Sequence, residues 1–187
     1  MSVDSLMSLP GSRTTERVVN KAAMDPAEIL IERLGLLPHP EGGVYREIFR
    51  STSLVEHPIL GKRPSATIIY YLLRAGEKSA WHRIRSEEIW QYLAGAPLSL
   101  ESLSPDLSDL ARTRLNAPDQ DGESVKVIPG GEWQAARTEG RFTLVLCTVA
   151  PGFEFRDLEF LDSGHPLIAS LPEELQIRIS SFLRFAP

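Results

Sequence analysis

The residues best suited to chemistry are concentrated in the segment GEKSAWHRIRSEEIWQYLAG, from Gly76 to Gly95. Within it, His82 precedes Glu88 by a short link that resembles a turn between two strands. An imidazole and a carboxylate on adjacent strands can reach the same cavity, where the imidazole acts as a general base and the carboxylate orients it. The same pair of side chains can also bind a metal ion.

The elements that must position this pair are mainly strands. Alternating or β-branched patterns predict strands at 44–49, 66–74, 79–85, 88–93, 97–103, 125–128, 141–150 and 153–160. Residues 51–65 and 104–121 are predicted to form loops, because they are rich in polar residues and contain prolines. Roughly eight short strands separated by turn signals are typical of an antiparallel sandwich or barrel.

Helices are predicted only at the two ends of this β region. Residues 25–35 combine an N-cap (Asp25), a proline at the first helical position and a terminating glycine (Gly35). Residues 172–183 place apolar side chains at helical spacing. We therefore predict a disordered tail at 1–24, one domain at 25–161 and a C-terminal helical extension at 162–187.

Composition excludes several classes of partner. The 187 residues carry a formal net charge of −5, and the basic residues are scattered, which argues against nucleic-acid binding. No apolar run is long enough to cross a bilayer, so no membrane partner is expected. The single cysteine, Cys147, cannot form an intramolecular disulfide and is interpreted as a buried apolar residue. With no secretory signal, we expect a cytoplasmic location.

The spacing of the central segment resembles the first motif of the cupin superfamily, G-x5-H-x-H-x3-E-x6-G. The matching positions are Gly76, His82, Ile84, Glu88 and Gly95, with Ile84 in place of the second histidine. In the block that resembles the second cupin motif, Gln134 occupies the position of the third histidine.

Four blocks narrow the resemblance to the fifth cupin family, a domain of unknown function. They are PHPEGGVYREIFRS (38–51), SAWHRIRSEEIWQYLAG (79–95), VIPGGEWQAA (127–136) and TVAPGFEFRDLEF (148–160). The resemblance implies an antiparallel double-stranded β-helix, the cupin jelly-roll barrel, with a small-molecule pocket inside. It also implies a homodimer.

A cupin metal site contains three histidines and one glutamate. In this chain His82 and Glu88 remain, and Gln134 offers only a weak neutral oxygen. This set falls short of the three or four strong ligands that zinc or iron requires, so no cofactor is certain and any divalent metal should bind weakly.

Further pocket residues follow from strand alternation and from the resemblance. Alternation along 88–93 places Glu88, Trp90 and Tyr92 on one face, so these side chains should line the barrel together. Trp133 and Gln134 are expected to line the same interior.

The resemblance further implies that the segment 38–51 forms the pocket rim. Its substrate-binding candidates are Glu41, Tyr45 and Arg46, with Arg46 suited to an anionic group. Tyr45 and Arg46 point to opposite faces of a strand, so only one of them should face the cavity. His39 is expected at the rim or surface, without a catalytic role.

Three functions remain open. The first is a sugar or nucleotide-sugar isomerase or epimerase in which His82 is the base, Glu88 orients it, and Tyr92 or Tyr70 returns a proton. The second is a protein that binds or senses a small metabolite without turnover. The third is a metal-dependent enzyme that uses the incomplete set His82, Glu88 and Gln134.

Overall fold

The computed structural model describes residues 25–184. One helix precedes a series of antiparallel strands and a second helix follows them. The helices are α1 (Pro26–Leu34) and α2 (Glu173–Ser180). The strands are β1 (Leu37–Pro38), β2 (Val44–Arg50), β3 (Leu54–His57), β4 (Gly61–Pro64), β5 (Thr67–Arg74), β6 (Lys78–Arg83), β7 (Glu87–Gly95), β8 (Leu98–Leu103), β9 (Leu110–Leu115), β10 (Val125–Ile128), β11 (Trp133–Thr138), β12 (Phe142–Ala150) and β13 (Glu159–Phe160).

The strands form two main antiparallel sheets. The first has the order β1-β2-β5-β12-β7-β10 and the second the order β13-β6-β11-β8-β9, while β3 and β4 form a separate hairpin. The inner faces of both sheets contribute to one buried cluster, in which Tyr71, Trp90 and Val145 meet Leu98 and Leu100. This arrangement confirms the predicted antiparallel double-stranded β-helix.

Each sheet carries one helix on its outer face. Helix α1 covers part of the six-stranded sheet, where Ala27 packs with Val44, Leu72 and Leu144. Its start is the predicted one, because the Asp25 carboxylate accepts a hydrogen bond of 2.9 Å from the Ala27 amide. It ends at Gly35, whose φ of 62° favours glycine.

The C-terminal segment covers the five-stranded sheet. Ile179 and Phe182 pack against Trp81 and Trp133, and the Trp81 indole donates a hydrogen bond of 3.1 Å to the carbonyl of Ile179. The predicted helix at 172–183 is therefore confirmed in a shorter form, Glu173–Ser180. No helix within residues 25–184 has the length and apolar character needed to cross a membrane.

The outer face of the six-stranded sheet is only partly covered by α1. Beyond the helix, Phe49, Val125 and Val127 lie on strands β2 and β10 with exposed fractions of 48%, 45% and 47%. They are paired with Ile68, Gln91 and Ile89 on the neighbouring strands. The result is an apolar area that reaches across the sheet, and it is called the open sheet face below.

Three predicted elements, and one segment for which no element was predicted, differ from the observed structure. The predicted loops contain paired strands, β3 and β4 in one and β9 in the other, and 133–138 forms β11. The predicted strand at 153–160 is instead a short 3-10 turn, Phe155–Asp157, followed by the two residues of β13. A long-range contact accompanies this difference, because the Arg63 guanidinium binds the carboxylate of Asp157, within the 3-10 turn, at 2.6 and 2.9 Å.

Candidate functional site

A cavity of about 270 Å³ lies on the inner face of the six-stranded sheet, where β2, β5, β7 and β12 contribute side chains to its lining. Its lining combines carboxyl groups, imidazole and aromatic rings with a few aliphatic groups. The lining residues are His39, Glu41, Tyr45, Glu47, Arg50, Thr67, Ile69, Tyr71, Ile84, Glu88, Trp90, Cys147, Val149, Phe153, Glu154 and Phe155. Glu88, Trp90 and Cys147 are buried, so they mark the inner end, whereas Arg50 and Phe155 are exposed and mark the rim.

Glu88 projects from β7 into the inner end of the cavity, with an exposed fraction of 7%. Its carboxylate accepts a hydrogen bond of 2.5 Å from the Gln134 amide nitrogen, and the Gln134 oxygen accepts one of 2.8 Å from the Trp90 indole. Burial is the main cause that raises the pKa of Glu88 to about 7, and the charge of Glu41 raises it further. The nearby His82 and hydrogen bonds from Gln134 and the Cys147 thiol oppose this rise. Glu88 can therefore accept or donate a proton near neutral pH.

Glu41 provides a second carboxyl group at the same end, with a side chain that is only 9% exposed. It follows β1, and its Oε2 accepts a hydrogen bond of 3.1 Å from the Ser79 hydroxyl. Two imidazoles flank it, with His82 Nε2 at 3.4 Å from Oε1 and His39 Nδ1 at 3.6 Å from Oε2. Burial raises the pKa of Glu41, which favours the protonated acid.

The structure places His82 outside the cavity lining, although it was predicted to be the base there. His82 is 1% exposed and is not part of the cavity lining, since it lies behind Glu41. Its Nδ1–H donates a hydrogen bond of 2.8 Å to the carbonyl of Ala80, so Nε2 is the acceptor that faces Glu41. Burial lowers the pKa of His82, so the ring is neutral. The neutral His82 ring therefore lies against the Glu41 carboxyl group, on the side away from the cavity.

Five other predicted site residues lie outside the cavity lining, although one of them, Gln134, hydrogen bonds to Glu88. The Tyr92 hydroxyl donates to the carbonyl of Gly95 at 2.6 Å. Tyr70 packs in the cluster under α1, and Arg46 donates to the carbonyl of Leu34 at 2.9 Å. Trp133 belongs to the cluster under α2.

Strand geometry explains these positions. On β2 and β5, every second residue faces α1, so Tyr45 lines the cavity whereas Arg46 and Tyr70 do not. Of the two neighbours Tyr45 and Arg46, only Tyr45 belongs to the cavity lining. On β11, Gln134 faces Glu88, and its neighbour Trp133 consequently faces the opposite side. Tyr70, Tyr92, Arg46 and Trp133, which were predicted to line the pocket, thus lie outside the lining of this cavity.

Several lining residues were missed by sequence reasoning. His39 is buried rather than at the surface, with its ring centroid 4.4 Å from that of Tyr45. Tyr71 and Cys147 lie at inward positions of β5 and β12, and alternation along those strands could have identified them. Phe153 and Phe155 enter the cavity from the non-strand segment, for which the sequence contains no comparable signal.

Ion pairs organise the rim. Arg50 binds both carboxylate oxygens of Glu47, at 2.9 and 2.6 Å, and donates to the carbonyl of Phe153 at 3.2 Å. Glu154 lies 2.8 Å from the guanidinium of Arg156 and 3.5 Å from that of Arg63. These contacts tie the segment carrying Phe153 to the end of β2.

The donor set does not fit the metal site that the fold implies. Ile84 has no donor atom, and the Gln134 oxygen already accepts the Trp90 hydrogen bond while its amide group faces Glu88. Between residues 25 and 184, no group of three or more His, Cys, Asp and Glu side chains is arranged to hold a metal ion. The chemistry below is therefore assigned to the side chains alone.

Comparison with known families gives a match over most of the chain. The family described as Cupin superfamily (DUF985) matches residues 28–161. No protein in a curated set matches this sequence.

Two solved structures are similar along their full length. A hypothetical protein from Leishmania major has a TM-score of 0.78 and 29% sequence identity, and covers 87% of this chain and 100% of its own. A protein from Shewanella oneidensis has a TM-score of 0.75 and 30% identity, with the same coverage of 87% and 100%. The capsular polysaccharide assembling protein CapF from Staphylococcus aureus shares the fold at a TM-score of 0.52 and 13% identity, over 67% of this chain and 33% of that one.

Proposed function

This chain belongs to the DUF985 family of the cupin superfamily, and we propose that its barrel binds a small polar metabolite and transfers protons to and from it. The observation that carries the proposal is the pair of buried carboxyl groups, Glu88 and Glu41, at the inner end of an aromatic cavity. A cavity that combines an apolar wall with a few convergent polar groups is the usual form of a small-molecule site.

The two carboxyl groups suit opposite roles. Glu88, with a pKa of about 7, is substantially ionised at neutral pH and can take a proton from a carbon next to a carbonyl group. Burial raises the pKa of Glu41 as well, and in its protonated form this carboxyl group can donate a hydrogen bond to the carbonyl oxygen. With an α-hydroxy carbonyl compound, the resulting enediol can be reprotonated at the former carbonyl carbon while its other hydroxyl group loses a proton, which is isomerisation. Reprotonation of the original carbon on the other face is epimerisation.

The cavity limits the size of the substrate. Its volume of about 270 Å³ lies at the lower end of ligand pockets, which typically measure about 300–1,000 Å³. A monosaccharide-sized carbonyl compound matches this volume better than a whole nucleotide-sugar. The aromatic rings of Tyr45, Tyr71 and Trp90 supply the apolar wall on which the carbon skeleton of such a compound can lie.

The proposal is tested by hydrogen exchange between solvent and substrate. Aldoses, ketoses and small keto acids are incubated with the protein in D₂O, and incorporation of deuterium next to the carbonyl is followed by proton NMR. We expect exchange in at least one compound, and we expect Glu88→Gln to abolish it. Glu87→Gln is the matched control, because Glu87 lies next to Glu88 on β7 but is exposed and outside the cavity lining.

A ligand that raises the melting temperature without any exchange would favour the second function, binding without turnover. Loss of exchange in both Glu87→Gln and Glu88→Gln would show that the effect is not specific to the cavity. Exchange that persists in Glu88→Gln would contradict the assignment of Glu88 as the base.

We further propose that the protein is a homodimer. The open sheet face, with Phe49, Val125 and Val127 nearly half exposed, supports this assembly. Contiguous apolar area on a sheet is typical of an interaction surface, and a two-fold axis allows the same face to cover its copy.

A further inference from the structure

The charges that line the cavity are unevenly balanced. Four glutamates face one arginine, Arg50. The glutamates are Glu41, Glu47, Glu88 and Glu154. The lining therefore has an excess of acidic groups, and the position of this excess indicates the kind of ligand.

The acidic groups at the rim already have cationic partners. Glu47 is paired with Arg50 at 2.6 Å, and Glu154 is paired with Arg156 at 2.8 Å. Because guanidinium groups already neutralise both carboxylates, Glu47 and Glu154 do not require a cationic ligand.

The acidic groups at the inner end have no such partner. No lysine or arginine in the described part of the chain forms an ion pair with Glu41 or Glu88. Among the described residues, the neighbours of these carboxyl groups that could carry a positive charge are His39 and His82. Burial lowers the pKa of both imidazole rings, which favours their neutral form. Two buried carboxyl groups thus share one space without a counter-charge, an arrangement that strongly disfavours ionisation of both at once.

Aromatic rings line the same cavity, from its inner end to its rim. Tyr45, Tyr71, Trp90, Phe153 and Phe155 all line the cavity. The faces of aromatic rings carry partial negative charge and attract cations, most strongly where water is excluded. The unpaired carboxyl groups and the aromatic walls therefore both favour a positively charged ligand, and both disfavour an anion.

We propose that the ligand of this cavity is a small organic cation, an ammonium compound whose charged group lies between Glu41 and Glu88. The inference rests on the proposed function only in placing the ligand in the same cavity. Binding would supply the missing positive charge and allow both carboxyl groups to ionise. The chemical class is an aliphatic primary or quaternary ammonium compound of about monosaccharide size.

Binding should depend on pH because protons compete with the cation. Glu88 faces Glu41, His82 on β6, Tyr71 on β5, Gln134 on β11 and Cys147 on β12. Of these groups, Tyr71 and Cys147 stay protonated, since burial raises the pKa of each. Lowering the pH through 7 protonates Glu88 and should weaken the binding of a cation, whereas a neutral compound should be much less affected.

Two pairs of compounds that differ mainly in charge test the proposal. Choline is compared with 3,3-dimethylbutan-1-ol, and cyclohexylamine, which is fully protonated at both pH values, with cyclohexanol, by isothermal titration calorimetry at pH 8 and pH 5.5. The first pair probes a quaternary ammonium group and the second a primary one. We expect the cation of at least one pair to bind about tenfold or more tightly than its neutral partner at pH 8 and to lose this preference at pH 5.5.

Three variants locate the effect. Glu88→Gln and Glu41→Gln should each abolish the preference for the cation, while Glu87→Gln, on the outer face of β7, should retain it. Circular dichroism of each variant confirms that it is folded. If either cavity variant is unfolded, the other one and the pH dependence of the unaltered protein decide the question.

Three results would overturn the proposal. They are equal affinity for both members of both pairs, no binding of either cation at about 10 mM, or a preference that survives in both cavity variants. These outcomes are separable from failure of the proposed proton transfer. Cation binding without deuterium exchange supports the charge assignment alone, and exchange in neutral sugars without any cation preference supports the proton transfer alone.

Discussion

Neutralising Glu88 should make the protein more stable, and the gain should grow with pH. Burial raises the pKa of Glu88 from 4.5 to about 7 in the folded chain. Between these two values the folded state binds more protons than the unfolded state, so the stability of the natural protein falls as pH rises. Well above pH 7, the difference of about 2.5 units between the two pKa values lowers the free energy of unfolding of the natural protein by about 3.4 kcal/mol.

Glutamine at position 88 carries no charge at any of these pH values. It keeps an oxygen that can accept the hydrogen bond from Gln134, so packing should change little. Removing the charge also removes its repulsion of Glu41, which acts in the same direction. From the two pKa values, the stability gained by Glu88→Gln should increase by about 2.5 kcal/mol between pH 5 and pH 8.

Urea denaturation followed by circular dichroism at pH 5, 6, 7 and 8 measures this difference. Glu87→Gln removes one carboxyl group from an exposed position of the same strand and should show no comparable trend. A stability difference between Glu88→Gln and the natural protein that changes by less than about 0.5 kcal/mol across this range would refute the reasoning, because Glu88 would then titrate normally.

Four further outcomes are expected. Light scattering should give a dimer, and Val127→Glu on the open sheet face should convert it to a folded monomer; a monomeric natural protein would contradict the proposed assembly. Asp157→Ala should lower the free energy of unfolding by about 3 kcal/mol, because it leaves the buried Arg63 guanidinium without its main partner; an unchanged urea midpoint would show that this ion pair does not anchor the segment. Cys147 should react with a thiol reagent only after denaturation, because burial raises the pKa of its thiol; rapid reaction of the native protein would show that the inner end is open to solvent. Elemental analysis of protein purified without chelators should find less than about a tenth of an equivalent of any transition metal, since the donor set is incomplete; a stoichiometric metal would overturn that view of the site.

The fold could be predicted from the sequence because its signals are local. Strand β12 is a continuous apolar run, and α1 is bounded by Asp25 and Gly35, which act on adjacent backbone groups. The prediction failed at 153–160, where FEFRDLEF alternates as a strand does. The contact that decides its structure is the long-range pair of Asp157 with Arg63, and no local pattern encodes that pair.

The site could be predicted only in part for the same reason. The spacing from His82 to Glu88 identified the correct strands, but it could not show that Glu41 stands between His82 and the cavity. The position of Glu41 depends on how the turn after β1 folds over β6. A backbone hydrogen bond of 2.9 Å from the Ala80 amide to the carbonyl of Glu41 fixes that contact, and it joins residues far apart in the sequence.

Gln134 occupies the position at which the cupin metal motif has its third histidine. Its oxygen accepts from Trp90 and its nitrogen donates to Glu88, so one amide links the aromatic wall to the carboxyl group. A histidine offers one donor and one acceptor in the neutral form and loses its acceptor when protonated, whereas the amide offers both at every pH. Replacement of Gln134 by leucine would remove the donor to Glu88 and should raise the pKa of Glu88 further above 7. The pH at which deuterium exchange or cation binding is half-maximal should then shift upwards, and an unchanged midpoint would show that Gln134 does not set the protonation of Glu88.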